Sequence, residues 1–228
     1  MMNQMPFKLE RIGRRLVIGQ DLLDIKEAFE LTLMDVTYLL GSYGPRYHKM
    51  VDEKNLARPV SSVTRALLAR FITDWAAEER GFPAASALHP WPLLIPKPPS
   101  GEDFDQMVLE HASVLHRDWP GIRLATQSGI LLGLSGTRTT ERWRDSSPQP
   151  VVQRLMTYLL ADIEDRGEIA LIEHMRRIEL EVRARGHQSV DELFSYTRWN
   201  SVKKISAGRT SLKPRRQKPP NNMTAATA

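Results

Sequence analysis

LLGLSGTRTTERWRDSSPQP, residues 131–150, sets two glycines three residues apart behind a pair of leucines and follows them with threonines, arginines and one tryptophan. Glycine tolerates the backbone of a tight turn, so the stretch divides into the end of one short helix, a turn, and a second short helix rich in donors. Pro150 then suits the first turn of a further helix, where its missing N–H needs no partner. From Val151 to Val182 the apolar positions keep helical spacing, with a bend expected at Gly167. This part of the chain therefore reads as short helices meeting at tight turns and leading into long ones.

The same order occurs earlier. YLLGSYGPRYHKMV (38–51) and ILLGLSGTRTTERW (130–143) share Leu-Leu-Gly, a second Gly three residues on, and an Arg two residues after that. Each is followed by Pro-Val and a long amphipathic run. The offset is 133 − 41 = 92 for the first glycines and 150 − 59 = 91 for the prolines. A shared order of this length points to a duplicated unit.

Outward from these two stretches, residues 21–41 (DLLDIKEAFELTLMDVTYLLG) predict two short helices meeting near Leu31–Thr32 and ending at Gly41. A further short helix starts at Pro45. Residues 59–80 form an amphipathic helix with Val63, Ala66, Leu67, Phe71 and Trp75 on one face. Between residues 83 and 100, six prolines exclude a helix or a central strand; Trp91, Leu93, Leu94 and Ile95 suggest that this linker packs across the units it joins. Residues 102–119 read as one helix, residues 123–133 as one or two more turns, and residues 188–199 as a last short helix capped by Ser189 with Glu192 three residues on. No segment alternates as a strand.

The expected fold is thus all-α. The divisions are an N-terminal segment (1–19), a first helical unit (20–80), a proline-rich linker (81–101), a second unit with C-terminal helices (102–198) and a tail (199–228). The tail holds seven basic residues and no acidic one, so of the net charge of +5 the remainder of the chain carries 5 − 7 = −2. With its prolines and few apolar residues the tail is expected to be disordered and cationic. The chain has no Cys, which removes disulfides, zinc ribbons and thiol nucleophiles. No apolar run reaches the length that spans a bilayer, and the first residues lack the apolar core of a signal peptide, so the expected location is the cytoplasm, without membrane association.

Two short helices joined by a Gly-containing turn and braced by flanking helices make a helix-turn-helix, whose second helix enters the DNA major groove. That helix needs flexible donors for base edges, hydroxyls for phosphates and one inward apolar anchor. In the second unit Arg138 and Arg142 lie one turn apart, Thr137 and Thr140 sit near the helix start, and Trp143 is the anchor; Glu141 and Arg144 complete the face. In the first unit Arg46, Tyr47 and Lys49 are the counterparts, with Met50 and Val51 in the buried role. Lys203, Lys204, Arg215 and Arg216 of the tail would add affinity by counterion release without sequence information.

LLGLSGTRTTERWRDSSPQP resembles the turn and reading helix of the bacterial and phage regulators related to lambda repressor and Cro. Gln127, Gly133, Leu134, Ser135 and Trp143 carry the resemblance. The stretch from Gln127 to Gly133 is about two residues shorter than in that family, and about one extra residue separates Ser135 from Trp143. The resemblance implies a sequence-specific regulator that binds double-stranded DNA, of the type found on plasmids, phages and integrative elements, acting without a cofactor or metal and without enzymatic activity.

His111 and His116, five apart, do not share a helix face as a metal pair would, and Glu173, His174 and Glu179 read as a solvated charged face. The acidic run 159–173 and the charge of −2 outside the tail favour an alternative, a non-enzymatic helical interaction or accessory protein whose helix-turn-helix units bind protein. A homodimer remains open on either reading.

Overall fold

A computed structural model describes residues 15–77, 100–120, 122, 124–134 and 148–187. Among these residues there are nine α-helices and no strand: α1 (Gly19–Ala28), α2 (Leu33–Leu39), α3 (Gly44–Val51), α4 (Val63–Ala77), α5 (Gly101–Glu110), α6 (Ala112–Asp118), α7 (Leu124–Leu131), α8 (Pro150–Arg166) and α9 (Glu168–Ala184). The proline-rich stretch 81–99, the short helix expected at 188–199 and the basic tail lie outside the described residues, as does 135–147 with its donor-rich helix.

Local chemistry accounts for the helix starts. Thr32 and Asp35 exchange caps at α2, with Asp35 N–H donating to Thr32 Oγ1 (3.2 Å) and Thr32 N–H donating to the Asp35 carboxylate (2.9 Å). Ser100 and Asp103 repeat this at α5, with distances of 3.0 and 2.6 Å. At α1 the Asp21 carboxylate accepts from Ile18 N–H (2.8 Å) and from the Arg15 guanidinium (2.6 and 2.9 Å). Pro45 and Pro150 occupy the first turns of α3 and α8. Gly167, at φ 61° and ψ −135°, separates α8 from α9 where a bend was expected.

The helix expected over 102–119 is divided. His111, at φ −102° and ψ 17°, closes α5 and opens α6. The change of direction lets Val114, Leu115 and Trp119 reach the interior along with Phe104 and Val108.

Residues from both expected units share one core. Leu22, Val36 and Leu67 from the first belong to the same apolar cluster as Phe104, Leu131, Leu155 and Ile178 from the second, and Val17 of the N-terminal segment joins them. The expected inner face of α4 is buried at Val63, Ala66, Leu67 and Phe71, and α4 lies against both α8 and α9. α1 packs on α3 and α4, while α5 packs on α7 and α8.

The two Leu-Leu-Gly turns have reciprocal seats. A Cβ on Gly41 (φ 53°) would stand 2.4 Å from Val151 Cα at the start of α8; one on Gly133 (φ 67°) would stand 2.8 Å from Thr64 N at the start of α4. Thr64 Oγ1 donates to Leu132 O (2.8 Å), and Tyr158 Oη of α8 donates to Leu39 O (3.3 Å). Each turn thus rests on the opening of the long helix that follows the other turn.

Beneath this contact runs a buried ionic network. Glu181 of α9 accepts from Arg70 Nε of α4 (2.9 Å) and from Arg185 Nε (2.6 Å). Arg185 also donates to Val60 O (2.8 Å), and Arg70 to Arg15 O (2.7 Å). The charged helix 168–184 is therefore not solvated all round, contrary to the sequence expectation. His174 is fully buried, and Glu173 is half-buried and pairs with Arg166 (2.7 Å). The Glu179 side chain is 45% exposed.

Candidate nucleic-acid interface

α2 and α3 are short helices of seven and eight residues joined across Leu40–Tyr43. The positive φ of Gly41 makes the turn, and the start of α8 leaves no room there for a side chain. Leu39 and Leu40 fall into the core on either side of α2's end. The angle of α3 is then set from below by Tyr47.

Tyr47 is 2% exposed, and its hydroxyl donates to Leu22 O of α1 at 3.3 Å. Burial first, and the nearby Glu27 second, push its hydroxyl pKa up to about 12. Tyr47 is thus the anchor of α3, which corrects its expected role as a DNA contact. Met50 and Val51, expected to be that anchor, are only partly buried against the core. A polar aromatic three residues from the helix start reaches α1, whereas the two apolar residues at its end face the less covered last turn.

The opposite side of α3 presents Pro45, Arg46, His48 and Lys49, all exposed. Arg46 and Lys49, three residues apart, project from adjacent positions of one face. The last turn is fixed by the 3₁₀ segment Glu53–Asn55, where Asn55 Nδ2 donates to Lys49 O (2.7 Å). Lys54 and Asp52 pair at 2.9 Å, whereas Arg46, Lys49 and the exposed Arg58 form no ion pair among the described residues.

Beside this basic face is an apolar one. Met34 is 76% exposed, and Leu33, Tyr38 and Tyr43 are exposed with it. Arg154 of α8 lies over the Tyr38 ring, 3.7 Å from its centroid, covering one side of it.

One residue that the sequence reading did not single out belongs to this neighbourhood. Arg65, on α4, is 2% exposed, and its Nε has no hydrogen-bond partner. Its pKa is pushed down to about 10, by burial first, then by the positive charge of Arg46, with Tyr43 acting in the opposite sense. No periodicity marks it, since a lone Arg between Thr64 and Ala66 looks like any helix charge.

In the second unit the described residues end at the turn. Gln127 is buried and its Nε2 donates to Trp119 O (3.3 Å), which ties α7 to the end of α6. Leu134 N–H donates to Gly129 O (2.8 Å), closing the turn after α7. Thr137, Arg138, Thr140, Glu141, Arg142, Trp143 and Arg144 lie outside the described residues, as do Lys203, Lys204, Arg215 and Arg216.

Among the described residues no group of His, Asp and Glu could hold a metal ion, and no helix is long and apolar enough to cross a membrane. No protein-family model matches the chain, and neither does any curated protein or solved structure.

Proposed function

We propose that the chain is a DNA-binding transcriptional regulator built from two copies of a helix-turn-helix, α2–α3 in the first and α7 with residues 137–144 in the second. The observation that carries the reading is the division of α3 into an inward Tyr47 and an outward pair, Arg46 and Lys49, behind a turn that only glycine fits. That division is what a reading helix requires: an anchor that sets its angle and donors free to meet base edges and phosphates. The reciprocal seating of the two turns supports duplication, with the copies acting as an intramolecular dimer on half-sites about 34 Å apart. Such a protein works in the compartment that holds its DNA, the cytoplasm of a bacterial cell, and performs no catalysis.

Selection of bound duplexes from a random-sequence pool, followed by gel shift at several salt concentrations, tests the reading. A paired motif is expected, together with loss of its preference in the variant R46A/K49A at unchanged melting temperature. Binding without any enriched motif would reduce the protein to a general cation on DNA and end the regulator reading.

The exposed Met34, Leu33, Tyr38 and Tyr43 favour a second reading, in which this unit meets a protein. No binding to duplex DNA at low salt, by a protein that melts cooperatively, would favour it.

A further inference from the structure

Uncovered apolar side chains flank both ends of α8. At its start stands the exposed face of α2, where Met34 is 76% exposed and Arg154 of α8 lies over the Tyr38 ring, 3.7 Å from its centroid. At its end Ile169, in the first turn of α9, is 61% exposed. A Cβ on Gly167, between the two helices, would meet nothing within 4 Å, so this corner is bare on both sides of the bend.

The two ends carry opposite charge. Arg154 forms no ion pair among the described residues; its contacts are with the Tyr38 and Tyr158 rings. At the other end Glu164, Asp165 and Glu168 are exposed. The cations beside them are already held: Arg166 by Asp162 and Glu173, both at 2.7 Å, and Arg117, which feels the charge of Glu168, by Asp118 at 3.0 Å.

Within one chain these ends cannot meet. Arg154 and Glu164 are 164 − 154 = 10 residues apart, so α8 holds them about 15 Å from each other along its axis. Arg154, Ala161 and Asp165, seven and four residues apart, follow one stripe of the helix, and all three are at least partly exposed. Both ends therefore look outward on the same side. A surface with a cation and apolar groups at one end, and carboxylates and an aliphatic group at the other, complements itself when turned end for end.

We propose that this side of α8 is a homodimer interface. Two copies of the chain meet about a two-fold axis with their α8 helices antiparallel. The α2 face and Arg154 of each copy receive the Glu164–Ile169 corner of the other, and the axis passes between Arg154 and Asp165, near Leu160. Because α8 sets the same spacing in both copies, the two contacts form together. A pairing of α2 with α2 would instead bring the two Arg154 side chains together and leave the carboxylates unanswered. The interface goes beyond the function proposed above and holds with or without DNA, since Arg46 and Lys49 take no part in it.

Sedimentation velocity of the full chain over a concentration series, at low and high salt, reads the association. A dimer is expected at low salt, weakened as salt screens the charge pairs. M34D and E164R, both at exposed positions, should each weaken dimerisation at least about tenfold, because a substitution counts twice in a two-fold contact. Their melting temperatures at a concentration where the chain is monomeric should stay at the wild-type value. R154E should weaken the dimer likewise, and R154E/E164R should regain a large part of the loss, which a disturbed fold would not do.

A monomer at every concentration overturns the proposal, as does a dimer that E164R leaves untouched or a folded R154E/E164R that regains nothing. Growth past the dimer overturns the two-fold arrangement, since a closed contact of this kind stops at two copies. A dimer lost in M34D but kept in E164R overturns it in favour of α2 packing on α2.

Discussion

Phe71 and Tyr158 stack with ring centroids 5.9 Å apart and planes inclined by 28°, and they are separated by 158 − 71 = 87 residues, the offset that aligns α4 with α8. Equivalent positions on the two long helices therefore face each other, as residues do beside a two-fold axis. The exchanged seats of Gly41 and Gly133 lie at the starts of the same two helices. The joint between α4 and α8 should accordingly have a centre and two supports.

At the centre, Phe71→Ala removes a fully buried ring and should cost about 3–5 kcal/mol in urea unfolding. Tyr158→Phe keeps the ring but leaves Leu39 O without its donor, an expected loss of about 1 kcal/mol. A cycle with Phe71→Leu and Tyr158→Leu should show a coupling of about 0.5–1.5 kcal/mol between the rings. Strict additivity would mean that the stack is incidental to the joint.

At the supports, three glycines with positive φ separate strain from crowding. Gly167→Ala has nothing within 4 Å of the new methyl and bears only the backbone cost of its conformation, about 1–3 kcal/mol. Gly41→Ala and Gly133→Ala add a methyl 2.4 and 2.8 Å from backbone atoms of α8 and α4. Neither helix start can yield without lifting the turn, so both variants should lose clearly more stability than Gly167→Ala. Equal losses at all three would show that the turns do not rest on the long helices.

The network beneath the joint yields a sharper contrast. Glu181→Ala strands the buried Arg70 and Arg185 and should cost about 3–5 kcal/mol. Glu179→Ala, on the same helix but with a side chain 45% exposed and weakly paired with Arg183 at 4.0 Å, should change stability by less than about 0.5 kcal/mol. Thermal melting of the two variants side by side checks this.

How far the sequence foretold this fold depended on the range of the interaction. The junction near Leu31–Thr32, the proline starts at 45 and 150, and the breaks at Gly41 and Gly167 are local, so they were visible as residue patterns. The helix formed by 168–184 was also visible, but its charged residues looked solvated because their partners, Asp74, Arg70 and Leu131, come from distant parts of the chain. On α3 the donors Arg46 and Lys49 were recognisable by type. Which residue of that short helix faced inward was not, since eight residues carry too little periodicity to separate Tyr47 from Met50. Aligning the two stretches on their prolines, at 91 rather than 87, also concealed the pairing of Phe71 with Tyr158.

His174 supplies the pH dependence. It is fully buried, and its Nε2 lies 2.7 Å from Leu131 O, a pure acceptor, so Nε2 carries the proton and the ring is neutral. Burial first, and the neighbouring Arg177 second, lower its pKa from 6.5 to about 4. The unfolded chain then binds the extra proton at higher pH than the folded one, so stability rises with pH across this window. The stabilisation is complete above about pH 6.5, starts to fall as pH drops below that value, and is fully lost near pH 4. Its size is about 3 kcal/mol from a shift of this magnitude. His174→Gln retains an N–H donor for Leu131 O and cannot titrate, so its unfolding free energy should vary less between pH 6.5 and 4 than that of the wild type. Urea midpoints across that range measure the difference. Parallel pH profiles for the two proteins would mean that acid acts through other groups and that His174 is no more than a buried strut between α7 and α9.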